Sequence, residues 1–166
     1  INVKYSFKNG SHLQAGAVLR NMYYKDEVED KDRIVTGWGA SLNGIWQFAE
    51  NTSLCFQGVY GKGISNYIQD ISGSGLDLVP SATAEGKLKA FNAWGGYIGF
   101  SHNWSKVLTS NIMYSYARAL DRYGMPATSY KYAQYAAANL FWDFSEYGSC
   151  AIEYVFGRRN DFNKDY

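Results

Sequence analysis

Apolar and polar residues alternate with a period of two along most of this chain, and that pattern predicts strands. It defines eight stretches: residues 1–7, 11–24, 33–48, 53–66, 92–104, 107–120, 130–144 and 149–159. In the first, Ile1, Val3, Tyr5 and Phe7 alternate with Asn2, Lys4 and Ser6. In the second, Leu13, Ala15, Ala17, Leu19 and Tyr23 oppose His12, Gln14, Gly16 and Arg20. In the third, Ile34, Trp38, Leu42, Trp46 and Phe48 oppose Gly37, Gly39, Ser41, Asn43 and Gln47. The fourth sets Leu54, Phe56 and Tyr60 against Gln57, Gly61 and Gly63, and the fifth sets Trp94, Ile98, Phe100 and Trp104 against Gly95, Tyr97, Gly99 and Ser101. The helical i, i+3, i+4 spacing does not recur. Ala136-Ala137-Ala138, the one helix-friendly spot, lies inside an alternating frame.

Between these stretches the connections are expected to run short, long, short, long, short, long, short. Turns fall at Asn9-Gly10, near residues 49–52, at Ser105-Lys106 and near residues 145–148. Longer loops fall at the charged run 25–32, at the irregular stretch 67–91 and at residues 121–129. A polar stretch, 160–166, closes the chain. Soluble sandwiches have no reason to alternate in this way, whereas outer-membrane barrels do, with short periplasmic turns and longer extracellular loops. The stretches also exceed the usual ~5–6 residues of soluble strands and match the ~9–11 needed to cross a bilayer at a tilt. The expected fold is therefore all-β, an antiparallel up-and-down transmembrane β-barrel, with eight strands in residues 1–166 as a single segment.

Aromatic placement sharpens this. Aromatics make up 17% of the chain, with 17 Gly and 2 Pro, a balance suited to long uninterrupted strands. Trp94 and Trp104 lie ten residues apart on the predicted outer face, roughly 25 Å along the membrane normal at a ~40° tilt. Tyr132 and Trp142 repeat that spacing, and Trp38 with Trp46 comes close to it. These six are the expected aromatic girdle. Trp46, Trp104 and Trp142 form its lower belt beside the short turns. The opposite face is mostly Gly, Ser, Asn, Gln and Thr, too polar for a packed soluble core, and reads as a lumen.

Charge is balanced, 16 Lys+Arg against 15 Asp+Glu, which argues against a nucleic-acid partner. Extending the alternation points Arg20, Arg33, Lys131, Glu153 and Arg159 inward as pore-lining candidates. Four cations against one carboxylate would favour anions. The alternative for some of them is a rim position that meets only solvent or lipopolysaccharide. Lys62, Arg118 and Arg158 fall on the outer face near the extracellular end, where lipid head groups or, in a trimer, a subunit interface would meet them. His12 and His102 have no acid or Cys neighbour to make them catalytic. Cys55 and Cys150 fit no metal or disulfide framework. No catalytic, metal or cofactor site is expected, and the acidic run 26–32 reads as a solvated loop before a cation site.

With short turns on the periplasmic side, the first strand starts and the eighth ends on the extracellular side. The expectation is a segment of a longer barrel with further strands on either side, ten or more in all.

Tyr97-Ile98-Gly99-Phe100-Ser101-His102-Asn103-Trp104-Ser105 resembles a hairpin region of DcaP-type porins. Asn139-Leu140-Phe141-Trp142 and Glu153-Tyr154-Val155-Phe156-Gly157-Arg158-Arg159 resemble the penultimate hairpin of that family. The resemblance covers about residues 92–160. It implies the C-terminal half, without the last strand, of a sixteen-stranded trimeric porin passing small, dicarboxylate-like anions. The expected function is passive diffusion of small solutes across a bacterial outer membrane. The alternatives are a non-conducting barrel serving as adhesin, anchor or assembly component, and, further off, a barrel-borne enzyme or soluble β module.

Overall fold

The computed structural model describes residues 1–163. Ten strands follow in chain order: β1 (Asn2–Ser6), β2 (His12–Asp26), β3 (Lys31–Ala49), β4 (Thr52–Lys62), β5 (Leu78–Pro80), β6 (Leu88–Ala90), β7 (Asn92–Asn103), β8 (Leu108–Ala119), β9 (Tyr130–Ser145) and β10 (Gly148–Asp161). Eight of them form one antiparallel sheet in the order β1-β2-β3-β4-β7-β8-β9-β10, each paired with its neighbour in the meander. The sheet is not closed on itself: β1 and β10 stand at its two edges. It is a partial barrel wall, and its eight strands are the eight that the alternation predicts.

Register follows from that alternation, because a slip by one residue would exchange the two faces of a strand. Leu19 stands opposite Trp38, Ala40 opposite Tyr60, Tyr60 opposite Trp94, Phe100 opposite Ile112 and Leu140 opposite Ile152. Apolar residues thus meet apolar residues over most of this face. On the other face Gln14 meets Asn43, Asn43 meets Gln57, and Asn111 meets Asn139. Tight turns join strands at Phe7–Ser11, where Phe7 N–H donates to the Ser11 carbonyl at 2.8 Å, and around residues 50–51, 104–107 and 146–147.

Three connections differ from expectation. The charged run 25–32 is not a long loop. β2 and β3 extend to Asp26 and Lys31, leaving a four-residue turn. The Asp26 carboxylate accepts the N–H groups of Val28 and Glu29 at 3.1 and 3.2 Å, and Lys25 pairs with Asp30 at 2.6 Å, so the charges close the hairpin instead of solvating a loop. β4 stops at Lys62, not at Asn66, because Gly63 takes φ +67°, a conformation a strand cannot continue through. β10 runs on to Asp161, so the predicted terminal stretch shortens. Its residues 164–166 lie outside the described residues.

The stretch 67–91 is not irregular either. After Gly63 the chain makes two short 3-10 turns, Ser65–Tyr67 and Gln69–Ile71, then the β5–β6 ribbon. The excursion folds back over the polar face of the sheet. Ile64, Ile68, Ile71, Val79 and Phe91 are buried there against Ala93, Ala117, Ala119, Tyr130 and Phe162. At about 1.5–3 kcal/mol for each large side chain removed from water, this docking is strongly favoured. The expectation of an open polar face is corrected over this upper part: the sheet contributes small side chains there, and the loop contributes the apolar ones.

Candidate functional site

The floor beneath the loop is built from residues with almost no side chain. Gly39 lies so close to the loop that a Cβ added there would come within 2.9 Å of Ile64 Cγ2. A Cβ on Gly95 would meet Ile68 Cγ2 at 3.3 Å. Gly61, Ala93 and Ala117 continue this floor on β4, β7 and β8. The Gly enrichment of alternate positions therefore has a specific use. It leaves a shallow bed in which an excursion can lie flat against the wall.

Polar contacts fix the loop at its base. The Asp77 carboxylate is the hub: Arg20 Nη1 donates to Oδ2 at 2.9 Å, Asn66 Nδ2 to Oδ2 at 2.9 Å, and Ser65 Oγ to Oδ1 at 2.6 Å. Arg20 Nη1 also reaches the Gly63 carbonyl at 3.2 Å, and its guanidinium lies over the Tyr67 ring at 5.8 Å. Gly63 N–H donates to the Phe91 carbonyl at 2.7 Å, and Phe91 N–H to the Asp77 carbonyl at 2.9 Å, closing the loop on itself. A second tie joins it to the β8–β9 connection, where Asp121 accepts from Lys89 Nζ at 2.5 Å and from Asn92 N–H at 2.6 Å.

Arg20, Arg33, Glu153 and Arg159 lie on the loop-bearing face. Arg33 sits at the β2–β3 tip, bound to Asp26 at 3.3 Å and to Glu29 at 2.5 Å. Arg159 pairs with Asp161 at 2.8 Å and lies over the Tyr130 ring. Glu153 accepts from Asn139 Nδ2 at 3.1 Å, and Asn111 Nδ2 donates to Asn139 Oδ1 at 2.8 Å, making a polar row low on the wall. Lys131 is the extra residue of a bulge where the register slips between Asn160 and Asp161. The bulge turns Tyr130 into the core under the loop, where its hydroxyl donates to the Ala117 carbonyl at 3.0 Å.

The expectation that Glu153 alone would balance these cations is corrected: Asp77, Asp26, Glu29 and Asp161 each hold one of them. Asp77 was missed because nothing in a Gly- and Ser-rich stretch marks it as the partner of a cation on the polar face. Lys4 was missed as well; it pairs with Gln14 on the same polar face, and the alternation of residues 1–7 already implied this.

Below the loop the wall keeps a cleft of ≈570 Å³, lined by Gln57, Tyr67, Gln69, Asp70, Tyr97 and Ser115 among others. Its lining mixes these polar groups with apolar ones such as Val59, Ile68 and Met113, and Asp70 is its one charged residue.

Trp38, Trp46, Trp94, Tyr132 and Trp142 lie on the opposite, bare face, in register with Leu19, Leu54, Tyr60, Arg118 and Leu108. Trp104 joins them: its ring meets His102 edge-on at 4.5 Å, and its Nε1 donates to Ser110 Oγ at 3.0 Å. Edge-on pairs link Phe7 to Trp46 and Trp142 to Phe144 beside the short turns. Between these aromatics the face exposes Leu19, Leu42, Ile112, Ile152 and Tyr154. Among the described residues no helix is long and apolar enough to cross a membrane, which leaves strands untouched by that criterion. No cluster of three His, Cys, Asp or Glu side chains suited to a metal occurs among them.

No protein-family model and no curated protein sequence matches the chain. A solved structure does: the crystal structure of the outer membrane channel DcaP of Acinetobacter baumannii, with a TM-score of 0.74 at 18% identity over 98% of this chain. The match spans 45% of that channel's length, so this chain corresponds to less than half of it. At this identity the likeness establishes the fold alone, an antiparallel β-barrel wall.

Proposed function

We propose that the chain forms part of the wall of an outer-membrane channel that passes small polar solutes by passive diffusion, and that it is not an enzyme. One observation carries the reading: the sheet has an apolar face rimmed with aromatics and a polar face narrowed, but not filled, by a folded loop. A continuous exposed apolar surface on one side suits a hydrocarbon solvent and no aqueous one. A polar wall with an inward loop suits a water-filled lumen with a constriction. The outer membrane channel with the same fold supports this at the level of architecture.

The inward cations set the charge preference. An anion-selective ring needs positive charge without a partner, and Arg20, Arg33 and Arg159 are each matched by a carboxylate of this chain. The geometry therefore favours small neutral or weakly charged polar solutes over an exclusively anionic set. The competing reading, a non-conducting barrel, draws on the apolar packing beneath the loop; the cleft below the loop argues against it. Planar-bilayer recording of the intact protein decides between them. Stable ohmic steps with a reversal potential near zero under a salt gradient are expected. Silence in the bilayer would establish the non-conducting alternative, and strong anion selectivity would show that the paired cations still dominate the lumen.

A further inference from the structure

The bare face is not evenly covered. At its centre lies an apolar groove of ≈750 Å³. Its floor is the directly paired Gly58 and Gly96, and its walls are Tyr60, Trp94, Ile98 and Tyr116. A tilted barrel surface facing disordered lipid needs no such notch, since fluid chains accommodate side chains of any length.

Two cations stand immediately above it. Lys62 is the next bare-face residue after Tyr60 on β4, and Arg118 the next after Tyr116 on β8. Lys62 stands opposite Trp38, and Arg118 lies between Trp94 and Tyr132, so both are set into the aromatic rows at the loop-bearing end of the strands. Both are exposed, and neither has a carboxylate partner among the described residues. This contrasts with the polar face, where Arg20, Arg33 and Arg159 are all paired. The two strands flank β7, which places the cations roughly 10 Å apart across the sheet.

We propose that this groove seats an acyl chain of a diphosphorylated, multiply acylated glycolipid of the outer leaflet, with Lys62 and Arg118 holding its phosphate. The chemistry is complementary at both ends. The side-chain-free floor takes a methylene chain, Tyr60 and Tyr116 confine it, and the cations sit at the depth where aromatics mark the head-group boundary. A second copy of this chain fits less well. Among the described strand residues the bare face offers one carboxylate, Asp32, which lies at the far β2–β3 tip; a subunit contact here would bury Lys62 and Arg118 without counter-charges.

The test uses the intact protein in detergent and native mass spectrometry with three lipids: a diphosphoryl hexaacyl glycolipid, its monophosphoryl form, and a zwitterionic phospholipid. The diphosphoryl form is expected to be retained most strongly and the zwitterionic lipid least. K62Q/R118Q should lower retention of the diphosphoryl form about tenfold, the effect of losing charge-assisted contacts. Gly58→Leu fills the groove without straining the fold, since a Cβ there meets nothing within 4 Å, and it should lower retention of all acylated forms. Circular dichroism checks that both variants fold, and bilayer conductance, unchanged in K62Q/R118Q, keeps the result separate from the channel reading. Equal retention of the three lipids, or undiminished retention by either variant, would overturn the proposal. So would an oligomer of the unmodified protein that Gly58→Leu dissociates with lipid binding intact, because a second copy would then be the occupant.

Discussion

Asp77 gathers three donors on one carboxylate, and its removal should be felt in two independent ways. In Asp77→Asn the side chain keeps its size but loses the charge that Arg20, Asn66 and Ser65 share. Charge-assisted hydrogen bonds of this kind contribute about 1.5–3 kcal/mol, so a destabilisation of about 2 kcal/mol is expected in denaturant unfolding. Arg20 would then project an unmatched positive charge into the lumen, and the reversal potential under a salt gradient should move toward anion preference. An unchanged reversal potential would mean that Arg20 lies outside the conducting path. The inward direction of Arg20 was legible from Leu19 and Tyr23 on the other face. Its partner was not, because the two are 57 residues apart and no periodicity links a strand to a loop that folds over it. The place of Tyr130 was hidden for a related reason: the bulge at Lys131 turns it beneath the loop, and nothing in residues 130–144 marks the slip.

At the scale of elements, strand existence and register were legible almost throughout, since each strand carries its own two-faced pattern and slipping would expose the wrong face. The connections were less so. Residues 25–32 look like a loop by charge, yet Asp26 caps the turn and the charged side chains pair across the hairpin. Residues 67–91 look irregular by their Gly, Ser and Pro, yet Ile68, Ile71 and Phe91, with Ile64 before them, meet a floor that lies on other strands. That floor predicts separability. Lys62 pairs with Asn92 at the mouth of the loop, so β4 and β7 remain in register whatever joins them. Replacing residues 65–90 by a short Gly-Ser turn should leave the β-sheet signature in circular dichroism intact and raise single-channel conductance severalfold. Unaltered conductance would show that the loop is not the constriction.

At the scale of the whole molecule, the two faces of the sheet meet different surroundings. The chain contains five Trp, and all of them lie on the bare face. In vesicles carrying brominated lipids, tryptophan emission of the inserted protein should therefore be quenched strongly. Lipids brominated near the head group should quench more than those brominated at the chain end, because Trp94, Trp46, Trp104 and Trp142 lie toward the strand ends and Trp38 stands opposite Lys62, the last residue of β4. Weak quenching at every depth would remove the membrane assignment. The latch at the base of the loop also has a consequence for the current itself. An ion pair at 2.9 Å with both side chains partly open to solvent is weakened by dissolved salt, whereas the apolar bed under the loop is not. In the proposed channel, the electrolyte that carries the current would thus also loosen a charged attachment of the loop that narrows its path. Conductance is then expected to rise faster than in proportion to ionic strength, so that the wall would act as a resistor whose value depends on the medium it conducts.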